Sequence, residues 1–175
     1  MMINLIRAAA TESPAEVRFI SPFGPMRMLA TEKGISALEF IDRGATPSDL
    51  RGIPRPARRA IDLICGHPVS QEPINLLLNC SDFQFSVLAA LLRIPRGQTA
   101  TYSQVAAAIG HPSAVRAAAS AIARNPIALL IPCHRVVPAT GGTGNYRWGP
   151  DLKRALLRAE QFRTLPEHSA PESDS

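Results

Sequence analysis

Short apolar runs separated by polar turns dominate the first half of the chain, a pattern typical of β-strands. Residues 27–31 and 35–41 are two β-prone runs, and residues 32–34 between them supply the glycine that a tight hairpin needs. A third run, Ile74–Leu78, is bounded by proline and asparagine and is predicted as a strand. Residues 1–17 are weakly patterned, so we expect irregular chain or a short edge strand there.

One helix is predicted in this half, over residues 54–65, where four apolar residues recur at helical spacing. We therefore predict a lobe of α+β class, with about three strands and one helix, over residues 1–80. This lobe holds no catalytic constellation, because Cys65, His67 and Cys80 are scattered along it and are interpreted as structural residues.

Helical spacing takes over in residues 81–163, which we predict to be a second, mostly helical domain. Two short helices on either side of a tight glycine turn give it the pattern of a helix-turn-helix, although many other helix pairs share that pattern. The first predicted element is a helix that begins at Ser81 or Asp82 and is ended by residues 94–97. It is followed by a helix over residues 101–109, a turn over 110–112, and a helix over 114–124 with Ser113 as its cap.

The second of these two helices consists mostly of alanine, which leaves a thin and smooth rod. Proteins that read the major groove usually carry several base-contacting side chains, whereas the middle of this helix offers only Arg116 and Ser120. We therefore expect weak sequence readout, with binding through DNA shape and phosphates in the minor groove. The alternative is an alanine-rich helix that is packed in a core and does not contact nucleic acid.

The segment after this helix leads to the main chemical candidate. Asn125 and Pro126 end the helix, and the apolar residues 127–131 are predicted as a strand that leads into Cys133. Residues 138–145 contain three glycines and form a flexible loop that is able to close over a bound group.

A last helix starts at Pro150. The apolar face of this helix is predicted to consist of Leu152, Ala155, Leu156 and Ala159. Glu160 lies at the margin of that face, and a carboxylate there needs a partner, for which His134 is the obvious candidate. Residues 164–175 are polar and are predicted to be disordered.

Charge is divided unevenly along the 175 residues. Residues 1–82 carry nine Lys+Arg and nine Asp+Glu, residues 83–163 carry ten against two, and the last twelve residues add three acids. A basic excess confined to one half indicates a polyanionic partner, although a solvated basic face gives the same pattern. Three cysteines without paired spacing indicate a reducing compartment. No apolar run is long enough to span a bilayer.

The main candidate for chemistry is the run Pro132-Cys133-His134-Arg135, which has apolar residues on both sides. Burial raises the pKa of a thiol, so Cys133 is inert unless a base takes its proton. His134 is adjacent, and a hydrogen bond between the two side chains would run through a water or need a turn at Pro132. Two other interpretations stay open from these residues alone: a buried structural cysteine and a zinc ligand, although no further Cys or His lies at ligand spacing.

A wider set of residues carries a family resemblance. The set consists of Tyr102, Arg116, Asn125-Pro126, residues 132–136, Tyr146 and Glu160. In order and spacing it resembles the O6-alkylguanine-DNA alkyltransferases, also called methylated-DNA–protein-cysteine methyltransferases, strongly over residues 72–161 and loosely before them. The resemblance implies an RNase H-like N-terminal lobe and a helix-turn-helix domain that flips a damaged guanine into a pocket. It implies no cofactor and no metal.

The resemblance also implies roles in the reaction. Cys133 takes the alkyl group, His134 accepts the thiol proton through a water, and Glu160 orients the imidazole. Tyr102 aids extrusion of the base and donates a hydrogen bond to guanine N3, while the carbonyls of Cys133 and Val136 accept from the exocyclic amine. A polarisable thiolate suits displacement at an alkyl carbon, and the thioether product consumes the protein in one event.

Contacts with DNA and with the base follow from the same resemblance. Arg116 fills the gap left by the flipped base, and Asn125 is the hinge between the recognition helix and the active-site segment. The remaining contacts with DNA are assigned to Tyr102, Ser113, Ala117, Ser120, Arg124 and Arg135. The substrate pocket is assigned to Asn125, Val136, Tyr146, Arg147 and Trp148.

Two residues in this pocket depart from the pattern of many family members. Arg147 and Trp148 are bulky where those members carry small residues, and they are similar to the C-terminal domain of bacterial adaptive-response proteins. We expect Trp148 to narrow the pocket in favour of methyl over benzyl adducts; the alternative is that it packs behind the loop. An N-terminal phosphotriester-repair domain with its zinc ligands is not expected, nor is transcriptional self-regulation.

These inferences predict a repair protein that removes alkyl groups from O6-alkylguanine, and from O4-alkylthymine, in double-stranded DNA. It is expected to act once, as a monomer without membrane association, in the bacterial cytoplasm and at the nucleoid. One alternative is a non-catalytic helix-turn-helix protein that acts as a lesion sensor or a regulator. Such a protein needs none of Cys133, His134 and Glu160. Another is a thiol hydrolase, against which the alanine-rich helix and the divided charge weigh.

Overall fold

The computed structural model describes residues 3–7, 12–42 and 44–162, and the tail predicted to be disordered lies outside them. The first half contains a five-stranded sheet and one helix. The strands are β1 (Ile3–Arg7), β2 (Ala15–Ser21), β3 (Gly24–Thr31), β4 (Gly34–Phe40) and β5 (Ile74–Leu78), in the order β1-β5-β4-β3-β2. β2, β3 and β4 form an antiparallel meander, and β5 runs parallel to β1 and β4. The mixed α+β class is confirmed, and the RNase H-like detail stays a prediction.

The prediction of about three strands was wrong, because the sheet has five. β1 is an edge strand, as expected for the start of the chain, but β2 at the other edge was missed. In β2 the buried positions are Val17, Phe19 and Ser21, while Ile20 is 55% exposed. A buried serine and an exposed isoleucine blur the two-residue alternation by which a strand is recognised.

The hairpin between β3 and β4 forms as predicted, with Thr31 paired to Gly34. A Cβ atom on Gly34 would lie 2.6 Å from the carbonyl oxygen of Asn75, so only glycine lets this turn approach β5. Helix α1 (Arg55–Cys65) also forms as predicted, and Gly66 ends it in the left-handed conformation.

The second half is mostly helical. Its elements are α2 (Asp82–Leu91), β6 (Ala100–Thr101), α3 (Tyr102–Ala108), α4 (Val115–Ala123), a 3₁₀ turn (Cys133–Arg135), β7 (Val136–Val137) and α5 (Pro150–Phe162). Ser81 caps α2 through its side chain, and α2, α3 and α4 pack on one another. The buried apolar side chains of both halves form one continuous cluster. The division into domains at residues 80 and 163 stays a prediction.

Helix α4 starts one residue later than predicted. Ser113 was expected to cap it, but Ala114 occupies the N-cap position without a side-chain hydrogen bond. The turn before the helix is closed instead by the backbone, since Ala114 N–H donates to the carbonyl of His111 at 2.9 Å. A backbone turn of this kind leaves the exposed hydroxyl of Ser113 outside the cap.

The predicted strand over residues 127–131 does not form. Leu129 has a φ of 64°, and Ile131 N–H bonds back to the Ile127 carbonyl at 3.1 Å, so the segment is a tight turn. Only Ile127 makes an isolated bridge, to Leu38 of β4. Leu38 N–H donates to the Pro126 carbonyl at 2.9 Å, and its carbonyl accepts from Ala128 N–H at 2.7 Å. The first half therefore holds the segment that precedes Cys133.

Candidate active site

Cys133 lies at the start of the 3₁₀ turn, and only 5% of its surface is exposed. It borders a cavity of about 770 Å³. Side chains from α3, from α4 and the turn after it, and from the loop before α5 complete the wall: Tyr102, Ala119, Ser120, Asn125, Tyr146, Arg147 and Trp148. The glycine loop reaches the cavity through Gly144 and Asn145. A thiol at the bottom of a cavity of this size can meet a small planar group.

Burial is the main influence on the Cys133 thiol and raises its pKa. The Asn125 amide, the Tyr146 hydroxyl and the charge of Lys153 each lower it, but burial outweighs them. The free thiol is therefore the resting form, which agrees with the sequence-based expectation that Cys133 needs a base.

Tyr102 faces the sulfur from the first residue of α3. It is brought there by the parallel pairing of β6 with β7, which joins Ala100 to Val136 and Thr101 to Val137. Burial, and then the charge of Cys133, raise the pKa of Tyr102. The phenol thus keeps its proton at neutral pH and can donate a hydrogen bond.

His134 is 2% exposed and lies beside a carboxylate, as predicted. Its Nε2 is 2.9 Å from Oε1 of Glu160, while Nδ1 is buried without a hydrogen-bond partner among the described residues. A neutral imidazole that donates from Nε2 has Nδ1 free to accept a proton. His134 and Glu160 line a second cavity of about 730 Å³, so imidazole and sulfur border different cavities.

Glu160 also binds Arg135. Burial raises the pKa of Glu160, but hydrogen bonds from His134 and Arg135 together outweigh it and lower the pKa to about 2. The Arg135 guanidinium donates to both carboxylate oxygens, at 2.8 and 2.9 Å, and to the Ile94 carbonyl at 2.7 Å. Arg135 was predicted to contact DNA, and this position does not support that role, because its donors are directed into the protein.

Asn125 is 1% exposed and fixes the turn before Cys133. Its Oδ1 accepts from Ile127 N–H at 3.0 Å, and its Nδ2 donates to the carbonyls of Ile127 and Ile131 at 3.3 and 2.9 Å. A buried amide that satisfies three backbone groups determines the path of the chain from α4 to the thiol.

Trp148 both lines the cavity and packs behind the loop, so the two expectations for it are compatible. Its ring lies edge-on to Phe40 of β4, with centroids 5.6 Å apart, and to Tyr146 at 5.3 Å. The Arg147 guanidinium lies 5.2 Å from the Trp148 ring and donates to Glu39 at 3.1 Å. The first half thereby holds one wall of the cavity in place.

Helix α4 has one face in the core and the other at the mouth of the cavity. Ala118, Ala121 and Ile122 are buried. The residues assigned to DNA on this helix and the turn before it are exposed: Ser113, Arg116, Ala117, Ser120 and Arg124. The structure thus brings these residues to one surface but does not itself show a contact with DNA.

Lys153 of α5 is a member of the site that the sequence reasoning missed. It is 1% exposed, and its Nζ donates to the Val136 carbonyl at 2.5 Å and lies 5.7 Å from the Tyr146 ring centroid. The predicted apolar face of α5 was partly wrong, since Ala155 is exposed and the buried residues are Lys153, Leu156 and Glu160. The spacing of three and four residues between them was the available signal.

Neither a membrane-spanning helix nor a metal site is found in residues 3–7, 12–42 and 44–162. No helix there is long and apolar enough to cross a membrane, and no cluster of three His, Cys, Asp or Glu side chains could hold a metal ion.

Comparison with known proteins places this site in a family. Residues 82–162 match the family model described as 6-O-methylguanine DNA methyltransferase, DNA binding domain. The methylated-DNA–protein-cysteine methyltransferase of Methanosarcina barkeri is 38% identical over 147 residues, which cover 81% of this chain and 93% of that protein. The chain belongs to the methylated-DNA–protein-cysteine methyltransferase family.

A solved structure and a second relative show how much of the chain shares this similarity. The solved structure of Mycobacterium tuberculosis OGT in complex with DNA is similar with a TM-score of 0.71 and 34% identity, over 85% of this chain and 93% of that one. The bifunctional transcriptional activator/DNA repair enzyme Ada of Escherichia coli is 55% identical over 78 residues, which are 45% of this chain and 22% of that protein. The methyltransferase fold therefore spans both halves of this chain.

Proposed function

We propose that this protein repairs DNA directly, by moving an alkyl group from O6 of a modified guanine to Sγ of Cys133. The observation that carries the proposal is a buried thiol in a cavity of about 770 Å³, with the exposed face of α4 at its mouth. In the reaction the bond between O6 and the alkyl carbon breaks and a bond from sulfur to that carbon forms. Guanine leaves as an anion and takes up one proton, which balances the proton that the thiol gives up. The thioether is stable, so each molecule acts once.

The proton balance involves two groups. His134 accepts the thiol proton at Nδ1 through a water, and Glu160 on Nε2 stabilises the imidazolium that results. Tyr102 donates to the guanine ring, where negative charge develops as the alkyl group departs. The raised pKa of Tyr102 supports this role, because the phenol stays protonated.

The buried position of Cys133 supports base flipping, since a base inside the duplex could not reach this sulfur. Arg116 on the exposed face of α4 fills the space that the base leaves. The small side chains of Ala117 and Ser120 favour entry into the minor groove, where close approach is needed. The relative from M. tuberculosis was solved in complex with DNA.

The proposal also covers a second substrate, the oligomeric state and the place in the cell where the protein acts. O4-alkylthymine is a second substrate, because it offers an alkyl oxygen on a base that fits the same cavity. Every residue of the proposed reaction comes from one chain, which supports action as a monomer. A DNA substrate and three free cysteines support work in a reducing cytoplasm, at the nucleoid.

The test is intact-mass analysis after mixing with an oligonucleotide that contains O6-methylguanine, followed by peptide mapping. We expect the protein to gain one CH₂, located on Cys133 and not on Cys65 or Cys80. The Cys133→Ala variant should stay unmodified and still bind DNA. A folded protein that binds this oligonucleotide but keeps an unmodified Cys133 would instead be the non-catalytic lesion-binding protein.

A further inference from the structure

Lys153 is a buried cation without a carboxylate partner among the described residues. Lysine is almost never fully buried unless it is paired, yet Lys153 is 1% exposed, and among the described residues its ammonium group contacts a carbonyl oxygen and an aromatic ring. Burial therefore lowers its pKa, while the charge of Cys133 acts in the opposite direction. An uncompensated buried ammonium ion is costly, so a functional reason for it should exist.

The groups around Cys133 leave one candidate for the counter-ion of the Lys153 ammonium group. Glu160, the carboxylate that contacts the 3₁₀ turn, is already bound to His134 and Arg135. The other titratable groups that face the sulfur are Tyr102 from α3 and Tyr146 from the loop before α5, and both keep their protons because burial raises their pKa. Within the described part of the chain, this leaves the Cys133 thiolate as the anion whose charge acts on Lys153.

We propose that Lys153 is a positioning residue for the transfer reaction, whose ammonium ion stabilises the Cys133 thiolate as it forms. It also holds the Val136 carbonyl, 2.5 Å from Nζ, at the wall beside the thiol. The catalytic role of Lys153 rests on the proposed function. The interaction itself is a charge coupling between the side chains of Lys153 and Cys133. That coupling can be measured without DNA.

The coupling acts in both directions. If the ammonium ion stabilises the thiolate, the thiolate must stabilise the ammonium ion by the same free energy. At alkaline pH, where the thiol ionises, removal of the sulfur should then lower the pKa of Lys153, and removal of the ammonium ion should raise the pKa of Cys133. A lysine that only ties α5 to β7 through the Val136 carbonyl would show neither change.

The sequence makes the first measurement simple, because it contains only two lysines, Lys33 and Lys153. In protein labelled with ¹³C-lysine, the Cε signals of both can be followed by NMR as pH rises. We expect Cys133→Ser to lower the pKa of Lys153 by about one unit or more, on the scale of a close charge pair. Lys33, whose side chain is 67% exposed, is the internal reference and should not change.

Cys65→Ser is the matched control, since Cys65 is a partly buried thiol on α1, outside the cavity of Cys133. It should leave the titration of Lys153 unchanged. Identical titration of Lys153 in the parent protein and in Cys133→Ser would overturn the proposal. This comparison keeps Lys153 in place and changes only one sulfur atom to oxygen. It therefore does not depend on whether the protein folds without the buried lysine.

The reverse measurement uses Lys153→Met, which keeps the length of the side chain and removes its charge. In a background with Cys65 and Cys80 replaced by serine, the rate of Cys133 alkylation by iodoacetamide is followed against pH. We expect the pH midpoint of the alkylation rate to rise by about one unit. At pH values below the midpoint, the fraction of thiolate then falls roughly tenfold. An unchanged midpoint in folded Lys153→Met, checked by thermal unfolding, would overturn the proposal; if the variant does not fold, the NMR titration decides.

The two proposals can fail separately. A thiol that couples to Lys153 but never gains a methyl group from DNA would refute the repair function and leave the charge pair intact. A protein that gains the methyl group on Cys133, with no coupling to Lys153, would keep the function and refute this role for the lysine.

Discussion

At the scale of single residues, Glu160 connects three parts of the site. Its carboxylate binds the His134 imidazole and the Arg135 guanidinium, and its own pKa is about 2. A carboxyl group whose pKa is lower in the folded than in the unfolded chain stabilises the fold above the unfolded pKa. That contribution is lost as pH falls through the folded pKa.

Glu160→Gln should therefore destabilise the protein in a manner that depends on pH. A lowering from the ordinary 4.5 to about 2 corresponds to a contribution on the order of 3 kcal/mol at neutral pH. We expect the difference in unfolding free energy between the parent protein and the variant to be largest above about pH 5 and to shrink towards pH 2. Urea unfolding at a series of pH values measures it, and a difference that is constant with pH would contradict the assignment.

Trp148 should set the size of adduct that the cavity accepts. Because its ring forms a wall between Tyr146 and Phe40, Trp148→Ala should open the cavity by roughly the volume of an indole ring. We expect the rate with O6-benzylguanine, relative to O6-methylguanine, to rise about tenfold, at a cost of about 3 kcal/mol in stability.

Trp148→Phe, which keeps an aromatic wall, is the control for this change and should stay closer to the parent protein. The measurement is the second-order rate of transfer to Cys133 from each substrate. If the parent protein already reacts with the benzyl adduct as fast as with the methyl adduct, Trp148 does not limit the cavity.

A residue contact was readable from the sequence where the hydrophobic pattern of a helix placed a carboxylate at the edge of its buried face. The link between His134 and Glu160 was predicted from a carboxylate at the edge of an apolar face, and the structure places the two 2.9 Å apart. Lys153 was not singled out from the sequence, and the DNA contact assigned to Arg135 stays a prediction that its inward-directed donors do not support. The direction of the Arg135 side chain is revealed only by what surrounds it in space, whereas the buried position of Lys153 had a signal in its spacing to Leu156 and Glu160.

At the scale of elements, the strongest predictions were those with a clear start, period and end. Helix α1, helix α2 and strand β5 have proline, serine or glycine at their boundaries and were predicted close to their observed bounds. The segment over residues 127–131 was not, because five apolar residues in a row satisfy a buried turn as well as a strand. Its path depends on the Asn125 amide and on Leu38, which is far away in sequence.

Helix α4 should contribute to transfer from duplex DNA rather than to the reactivity of the thiol. Arg116→Ala removes an exposed side chain on the face that flanks the cavity. We expect transfer from duplex O6-methylguanine to slow at least tenfold, since an unfilled gap costs on the order of the unstacking energy of one base step. Reaction of Cys133 with the free base should stay within about twofold.

Arg158→Ala is a matched control for Arg116→Ala, because Arg158 is exposed on α5. Its removal should affect both reactions little. Equal slowing of the duplex and free-base reactions by Arg116→Ala would assign Arg116 to the structure of the cavity instead of to base extrusion.

At the scale of the whole molecule, the basic excess of residues 83–163 belongs to the half that carries α4 and Cys133. Affinity for DNA should therefore depend strongly on salt, because each phosphate contact releases counter-ions. For about four such contacts, the affinity should fall roughly 100-fold between 50 and 200 mM salt. Fluorescence anisotropy with a labelled duplex measures this, and a flat response would place the DNA on another surface.

The two backbone bonds between Leu38 and the 126–128 turn have a practical consequence for protein engineering. A chain divided in the linker between β5 and α2 would leave the thiol on one fragment and a required backbone partner on the other. Such fragments should label themselves with an alkyl reporter only when fused proteins bring them together. The architecture thus suits a split self-labelling tag, in which the covalent mark records that two proteins have met.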